Sequence, residues 1–96
     1  MTAGNRIPVR HEREQGRFIA TEDGHTGYVD YVVAGGVLDI RHTIVPDAIG
    51  GRGIAGQLVR AALDFARAEG YRVRPSCEYA SVWMTRHPDY DGLRAA

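Results

Sequence analysis

A chain of 96 residues with 44% hydrophobic and 25% charged side chains has the composition of one small globular domain. Twelve basic and twelve acidic residues give a net charge of zero, which argues against a nucleic-acid scaffold, and the absence of lysine excludes Schiff-base chemistry. No apolar run approaches the roughly 20 residues of a membrane span, and the N-terminus has no apolar segment typical of a signal peptide. Cys77 is the single cysteine, which fits a reducing compartment. We therefore predict one cytoplasmic domain over residues 1–96.

The first half of the chain is predicted to be an antiparallel meander. The turns at Asp23-Gly24 and Gly35-Gly36 contain the residue types that tight hairpins require. They separate apolar, partly alternating runs that we predict as strands, after a possible first strand near Val9: 17–21, 27–34 and 37–45. Alternation along the last run predicts that His42 and Ile44 share one face with Leu38 and Ile40.

The second half of the chain changes to helical periodicity. Apolar residues recur at helical spacing from Ile54 to Glu69, and Gly70 follows where a C-terminal cap is expected. A short strand is predicted over 71–74, and a last short helix over 78–86. The order of elements predicts an α+β fold, in which a mixed sheet begins with an antiparallel meander and continues with helix, strand and short helix.

A glycine-rich loop, PDAIGGRGI, joins the meander to the first helix. Its glycines allow backbone N–H groups to converge on an anion, and the helix N-terminus adds donors and partial positive charge. The loop lacks the Gly-Lys-Ser/Thr ending of a P-loop. Its glycines have the spacing of the dinucleotide-binding motif, but the loop follows a meander strand, and the segment Arg72 to Arg74, about 20 residues further on, offers no acidic residue to bind a ribose. A phosphate site and a plain turn remain as the two interpretations.

The order of several segments resembles the compact single-domain members of the GNAT N-acetyltransferase superfamily. These segments are RF, DG, YVDY, GG, LDIRHTIVP, GRGIAGQLVRAAL, P-S-C and RHPDY, and the resemblance covers about residues 9–93. The loop GGRGIA is similar to the acyl-CoA-binding loop of that family, with Gly50 in place of the usual Arg or Gln. The resemblance implies a GNAT-like fold that uses acetyl-CoA as co-substrate and no metal.

The resemblance also implies where acetyl-CoA binds. The pantetheine arm would pair with the end of the strand formed by Thr43, Ile44 and Val45. The pyrophosphate would lie on the loop and the start of the helix, whose members are Gly50, Gly51, Arg52, Gly53, Ile54, Ala55 and Gly56. Within this set, Arg52 is expected to supply a mobile positive charge for the phosphates, which offsets the missing Arg or Gln at position 50.

Cys77 and His42 are the predicted catalytic residues. Cys77 lies where a strand gives way to a helix, and a helix N-terminus stabilises a thiolate. It is predicted either to carry the acetyl group or to donate a proton to the departing thiolate of coenzyme A, and a buried structural thiol is the alternative. The resemblance implies that His42 acts with this cysteine as a base, whereas a satisfied core histidine is the alternative. The other histidines, His11, His25 and His87, are predicted in loops or at element ends.

The resemblance predicts an acetyl-CoA-dependent acetyltransferase that acts on an amine not identified by the sequence. Two alternatives remain: a non-catalytic module that binds coenzyme A thioesters, and a thiol redox sensor, which leaves the glycine loop unexplained. The predicted partners are a CoA thioester and an amine, without nucleic acid, membrane or metal. A homodimer that completes an open acceptor side is also compatible with so short a chain.

Overall fold

The computed structural model describes residues 7–95 as a five-stranded sheet with two α-helices. The strands in chain order are β1 (Arg10–Glu12), β2 (Arg17–Glu22), β3 (His25–Ala34), β4 (Val37–Ile44) and β5 (Arg72–Pro75). The helices are α1 (Ile54–Glu69) and α2 (Glu78–Arg86), and 3-10 turns occupy Arg13–Gln15, Asp47–Ile49 and Pro88–Leu93. The predicted α+β order is confirmed, and both helices begin and end at the predicted residues.

The five strands lie side by side in chain order. β1 to β4 are antiparallel to one another, as the meander prediction requires, and β5 is parallel to β4 because α1 carries the chain back across the sheet. The β3–β4 hairpin turns at Gly35 and Gly36, whose φ angles are +59° and +78°. This left-handed conformation strains most side chains, which explains why the predicted turn falls on a glycine pair.

One face of the sheet, which we call the core face, packs against α1. Its side chains alternate along the strands and are all buried: Phe18, Ala20, Val29, Tyr31, Leu38, Ile40 and Val73. The apolar stripe of α1 is buried with them: Ile54, Leu58, Val59, Ala62, Leu63 and Ala66. The opposite face, the open face, carries half-buried or exposed side chains along β3, namely Tyr28, Asp30 and Val32. Along β3 the two faces therefore differ in their access to solvent.

A β-bulge in β4 overturns the predicted orientation of His42. The pairing of β3 with β4 shifts by one residue, so that Arg41 has no partner of its own in β3. Alternation therefore reverses at the bulge: Ile40 faces the core, but His42 and Ile44 lie on the open face, and Thr43 turns to the core face. The prediction that His42 and Ile44 share the face of Ile40 is wrong.

His11 lies in strand β1 and not in a loop or at an element end, so that prediction is also wrong. Its ring stacks on Phe18 with centroids 3.9 Å apart, and its Nε2 lies 2.6 Å from the hydroxyl of Tyr31. Burial, with a further contribution from the charge of Arg13, lowers the pKa of His11 below its usual value of 6.5. The neutral imidazole is thus part of an aromatic cluster at the β1 end of the sheet.

The free energy of unfolding is expected to decrease in acid because of His11. Its pKa is lower in the folded protein than in the unfolded chain, so the unfolded chain binds more protons between the two values. The stabilisation by neutral His11 is complete at pH values above the ordinary pKa of 6.5. It is lost as the pH falls through the lowered pKa of the folded protein. His11→Phe keeps a ring against Phe18 and removes the titration. Urea unfolding at about pH 7.5 and about pH 5.5 should give a larger decrease for the wild type than for His11→Phe.

The other three histidines are common to both proteins, so the difference between the two decreases isolates His11. Equal decreases in the wild type and in His11→Phe contradict this assignment.

Candidate active site

The outer edge of β4 loses its partner strand half-way along its length. Pairing with β5 ends at Ile40 and Pro75, and the N–H of Cys77 then donates to the carbonyl of Ile40 at 2.9 Å. Beyond Ile40, no strand within residues 7–95 pairs with this edge. An unpaired edge offers N–H and C=O groups to an extended ligand. This segment contains the residues predicted to pair with the pantetheine arm: Thr43, Ile44 and Val45.

Six consecutive backbone N–H groups follow in the glycine loop and the first turn of α1. None of the N–H groups of residues 51–56 has an acceptor among the described residues, and the first bond of the helix joins the N–H of Gln57 to the carbonyl of Gly53 at 3.1 Å. Gly51 and Gly53 have φ angles of +76° and +78°, and an added Cβ at either position meets no atom within 4 Å. The loop therefore presents free donors at an accessible surface.

Arg52 is placed differently from the prediction. Its guanidinium donates to carboxylate oxygens of Glu22 and Asp23, each at 2.8 Å, and its other terminal nitrogen lies 3.4 Å from the carbonyl of Ala48. These hydrogen bonds raise the pKa of Arg52, with the bond to Asp23 contributing most. The side chain thus joins the loop to the β2–β3 hairpin, so the prediction of a mobile charge beside the loop is wrong.

Three further residues of the predicted loop also have structural roles. The N–H of Gly50 donates to the carbonyl of Asp47 at 3.0 Å and is therefore not free for a ligand. The side chain of Ile54 is buried in the core and is not available to a ligand. Gly56 allows α2 to approach α1, because an added Cβ would lie 3.1 Å from Nε1 of Trp83. Anion binding on this loop therefore depends on backbone donors.

Cys77 is the N-cap residue of α2, as the sequence predicts. It is half-buried, and its Sγ lies 3.4 Å from Oγ1 of Thr43, to which the thiol donates. The carbonyl of Cys77 accepts the first hydrogen bond of the helix, from the N–H of Ser81 at 3.0 Å. The thiol thus lies beside the unpaired edge of β4 and at the positive end of a helix dipole.

His42 does not meet Cys77 directly. The imidazole lies on the open face with 63% of its side chain exposed, and its Nδ1 is 3.1 Å and 3.2 Å from the two carboxylate oxygens of Asp30. The thiol instead contacts Thr43, which faces the core side of the same strand. The unpaired part of β4 thus has Cys77 on one side and His42 on the other.

Asp30 is the partner of His42, and the sequence did not predict this pair. A signal was present, because the regular hairpin predicted from the sequence places Asp30 within one residue of the position opposite His42. The hydrogen bond from Ser76 to Asp39, 2.6 Å long, was also not predicted, and it ties the segment before Cys77 to β4.

Within residues 7–95, no group of three or more His, Cys, Asp or Glu side chains is arranged to hold a metal ion. No helix in this part of the chain combines the length and apolar character needed to cross a membrane. His87 ends α2, as predicted: its Nδ1 lies 2.7 Å from the carbonyl of Trp83, and the two rings stack with centroids 3.6 Å apart.

Comparison with known proteins identifies the family. A sequence model described as GCN5-related N-acetyl-transferase matches residues 17–93. The chain belongs to the GCN5-related N-acetyltransferase family. The matched range includes β2 to β5, the glycine loop and Cys77, and the predicted resemblance is thereby confirmed. Membership of the GCN5-related family supports acetyl transfer as the general class of chemistry.

Relatives and a solved structure agree with this assignment to the GCN5-related family. The chain is 37% identical to mouse Protein NATD1 over 89 residues, which cover 88% of this chain and 80% of that protein. It is 35% identical to Protein NATD1 of Xenopus tropicalis over 92 residues, which cover 92% and 84% of the two chains. An NMR structure of a GCN5-like protein from Staphylococcus aureus superposes with a TM-score of 0.73 at 21% identity, covering 94% of this chain and 89% of that one. The last comparison supports the fold.

Proposed function

We propose that this protein transfers an acetyl group from acetyl-CoA to an amine. The observation that carries the proposal is the continuity of two elements: the edge of β4 that no described strand pairs leads into a loop with six N–H groups that have no acceptor among residues 7–95. The edge matches an extended arm that contains amides, and the loop matches a pyrophosphate. Family membership supports the same class of chemistry.

The contacts favour a site in which the backbone binds the phosphates. The N–H groups of residues 51–56 have no acceptor among residues 7–95, and the dipole of α1 adds positive potential at the same end of the helix. Arg52 offsets one of the two negative charges of Glu22 and Asp23, and so weakens their repulsion of a phosphate that approaches the loop. In this proposal Arg52 acts on the phosphates indirectly, through those two carboxylates.

The thioester is proposed to lie beside the unpaired part of β4, with Cys77 near its carbonyl group. The amine approaches from the open face, where His42 is accessible and can accept the proton that the amine loses. Attack of the amine on the carbonyl carbon forms the C–N bond and breaks the C–S bond. The departing thiolate then takes a proton. A second copy of the chain that completes the acceptor side stays a prediction.

Cys77 has two proposed roles that differ in one covalent step. As a proton donor, the thiol gives its proton to the sulfur of coenzyme A as the C–S bond breaks, and is reprotonated afterwards. As a nucleophile, its thiolate first takes the acetyl group, releasing coenzyme A, and the amine then attacks the new thioester and frees the thiolate. A reducing, cytoplasmic setting keeps the thiol available for either role.

Mass spectrometry with acetyl-CoA tests the proposal and separates the two roles. We expect the wild type to form a complex with coenzyme A that survives under native conditions. A nucleophilic Cys77 also gives one acetyl adduct that survives denaturation and is absent from Cys77→Ala and Cys77→Ser. With an acceptor amine present, we expect both variants to retain binding and to lose turnover by about 100-fold or more.

If the wild type forms no complex with acetyl-CoA or coenzyme A, the proposed function is contradicted. The second candidate is a non-catalytic module that binds CoA thioesters, and the exposure of His42 on an open face favours it, since an acceptor pocket usually encloses its base. Binding without turnover over a panel of primary amines supports this module. Turnover that Cys77→Ala abolishes supports the enzyme.

A further inference from the structure

We propose that Asp30 is a positioning residue that fixes the tautomer and orientation of His42. The inference deepens the proposed acetyl transfer and rests on it for its catalytic meaning. Its structural basis is direct, since both oxygens of Asp30 lie within 3.2 Å of Nδ1 of His42. A carboxylate can only accept a hydrogen bond, so Nδ1 must carry the proton in this pair.

The bulge in β4 creates this pair. Because Arg41 is an extra residue, His42 lies directly opposite Asp30 in the neighbouring strand. Side chains opposite each other in antiparallel strands have Cβ atoms about 4.5–5.5 Å apart, which is within reach for an imidazole and a carboxylate. The contact therefore follows from the backbone register and does not depend on a long flexible side chain.

Asp30 is available to His42 because the arginine opposite it in the other neighbouring strand is engaged elsewhere. Arg17 lies opposite Asp30 on the other neighbouring strand, β2. Its Nε donates to Oε1 of Glu12 at 2.5 Å instead. The same hydrogen bond lowers the pKa of Glu12, as expected for a carboxylate that holds a guanidinium. Glu12 thus occupies Arg17 and leaves the Asp30 carboxylate to the imidazole.

The chemical consequence is a defined nitrogen for proton transfer. With the proton on Nδ1 held by Asp30, Nε2 keeps its lone pair and can accept a proton from an incoming amine. Asp30 holds the Nδ1 proton without touching the amine, which makes it a positioning residue rather than a catalytic one.

The exposure of the pair makes a clean test possible. The side chains are 63% and 35% exposed, and exposed ion pairs contribute little to folding stability. Substitutions of Asp30 should therefore leave the fold intact. Asp30→Ala removes the acceptor, whereas Asp30→Asn removes the charge but keeps an amide oxygen that can accept from Nδ1. Asp91→Ala is the control, because Asp91 forms another exposed ion pair, 3.4 Å from Arg94.

Nitrogen-15 NMR of the imidazole rings at alkaline pH, where imidazole is neutral, measures the tautomer directly. We expect the Nδ1–H tautomer of His42 to predominate in the wild type, in Asp91→Ala and in Asp30→Asn. In Asp30→Ala, His42 should return to the Nε2–H tautomer that free histidine prefers. The proposal is overturned if the wild type has the Nε2–H tautomer, or if Asp30→Ala leaves the tautomer unchanged.

Kinetics separate the positioning role from the proposed function. Asp30→Ala is expected to lower kcat by about 10- to 100-fold without changing KM for acetyl-CoA, and Asp30→Asn should restore part of the loss. If Asp30→Ala shifts the tautomer of His42 but leaves kcat unchanged, Asp30 has no positioning role in catalysis. If the wild type shows no turnover, the proposed function fails, and the NMR result still decides whether Asp30 orients His42.

Discussion

Replacing Gly53 with aspartate is expected to weaken acetyl-CoA binding by about 10- to 100-fold while the protein stays folded. Gly53 has a φ of +78° and precedes the first turn of α1, and aspartate tolerates this conformation better than most residues. Its carboxylate can accept from the N–H groups at the start of the helix, so it would occupy the proposed phosphate donors. It also places a negative charge where the pyrophosphate is proposed to bind, and each tenfold loss corresponds to about 1.4 kcal/mol.

Two controls separate charge, backbone strain and position. Gly53→Asn has nearly the same shape without the charge, so a smaller loss of affinity is expected. Gly35→Asp introduces the same residue at a φ of +59° in the β3–β4 turn, where an added Cβ meets no atom within 4 Å. Calorimetric titration with acetyl-CoA measures all three variants. Wild-type affinity in Gly53→Asp would exclude the loop as the phosphate site.

The variant Leu58→Ala is expected to lose about 2–5 kcal/mol of unfolding free energy. Leu58 lies on the buried stripe of α1 and has no exposed surface. Alanine has the highest helix propensity, so the loss reflects the cavity left between α1 and the sheet rather than a weaker helix. For a domain of this size, each kcal/mol lowers Tm by about 4–8 °C, so the melting temperature should fall by about 8–40 °C.

The matched control is Val82→Ala in α2, where the valine is 41% exposed. It should change the unfolding free energy by less than about 1 kcal/mol, since little apolar surface is lost there. Thermal and urea unfolding, followed by circular dichroism, give both values. A loss below about 1 kcal/mol in Leu58→Ala is incompatible with the packing of α1 on the core face.

The elements of this fold could be predicted from the sequence because local signals determine their ends. The apolar stripe and Gly70 fixed α1, whose predicted bounds agree with the structure at both ends. The hairpin at Gly35 and Gly36 was predicted because few other residues accept two successive positive φ angles. In both places the residue type itself limits the backbone, so no tertiary information was needed.

The orientation of His42 could not be predicted in the same way. Continued regular pairing from the Gly35-Gly36 turn would place Asp30 opposite Arg41, a plausible cross-strand ion pair. The bulge instead places Asp30 opposite His42. This stretch of β4 contains no glycine or proline that would indicate a bulge. The register here depends on how both strands pack on the core, which a single sequence does not display.

The residues proposed to bind acetyl-CoA differ in the same way. Gly51 and Gly53 were predicted from residue type, and their positive φ angles agree with that reasoning. Arg52 was also selected by type, but its direction depends on Glu22 and Asp23, which come from a hairpin about 30 residues earlier in the chain. Long-range partners of a flexible charged side chain cannot be deduced from local pattern.

The bulge in β4 determines which face of the sheet each later side chain points to. This depends on the number of residues before that position and not on their type. Whatever amino acid occupies position 41, the bulge places the imidazole of His42 on the open face and Thr43 beside the thiol of Cys77. Regular pairing without the bulge would exchange the two: Arg41 would lie opposite Asp30, His42 would face the core side with Cys77, and Thr43 would turn to the open face. The extra residue thus determines which side chain each face of the strand presents to the proposed thioester.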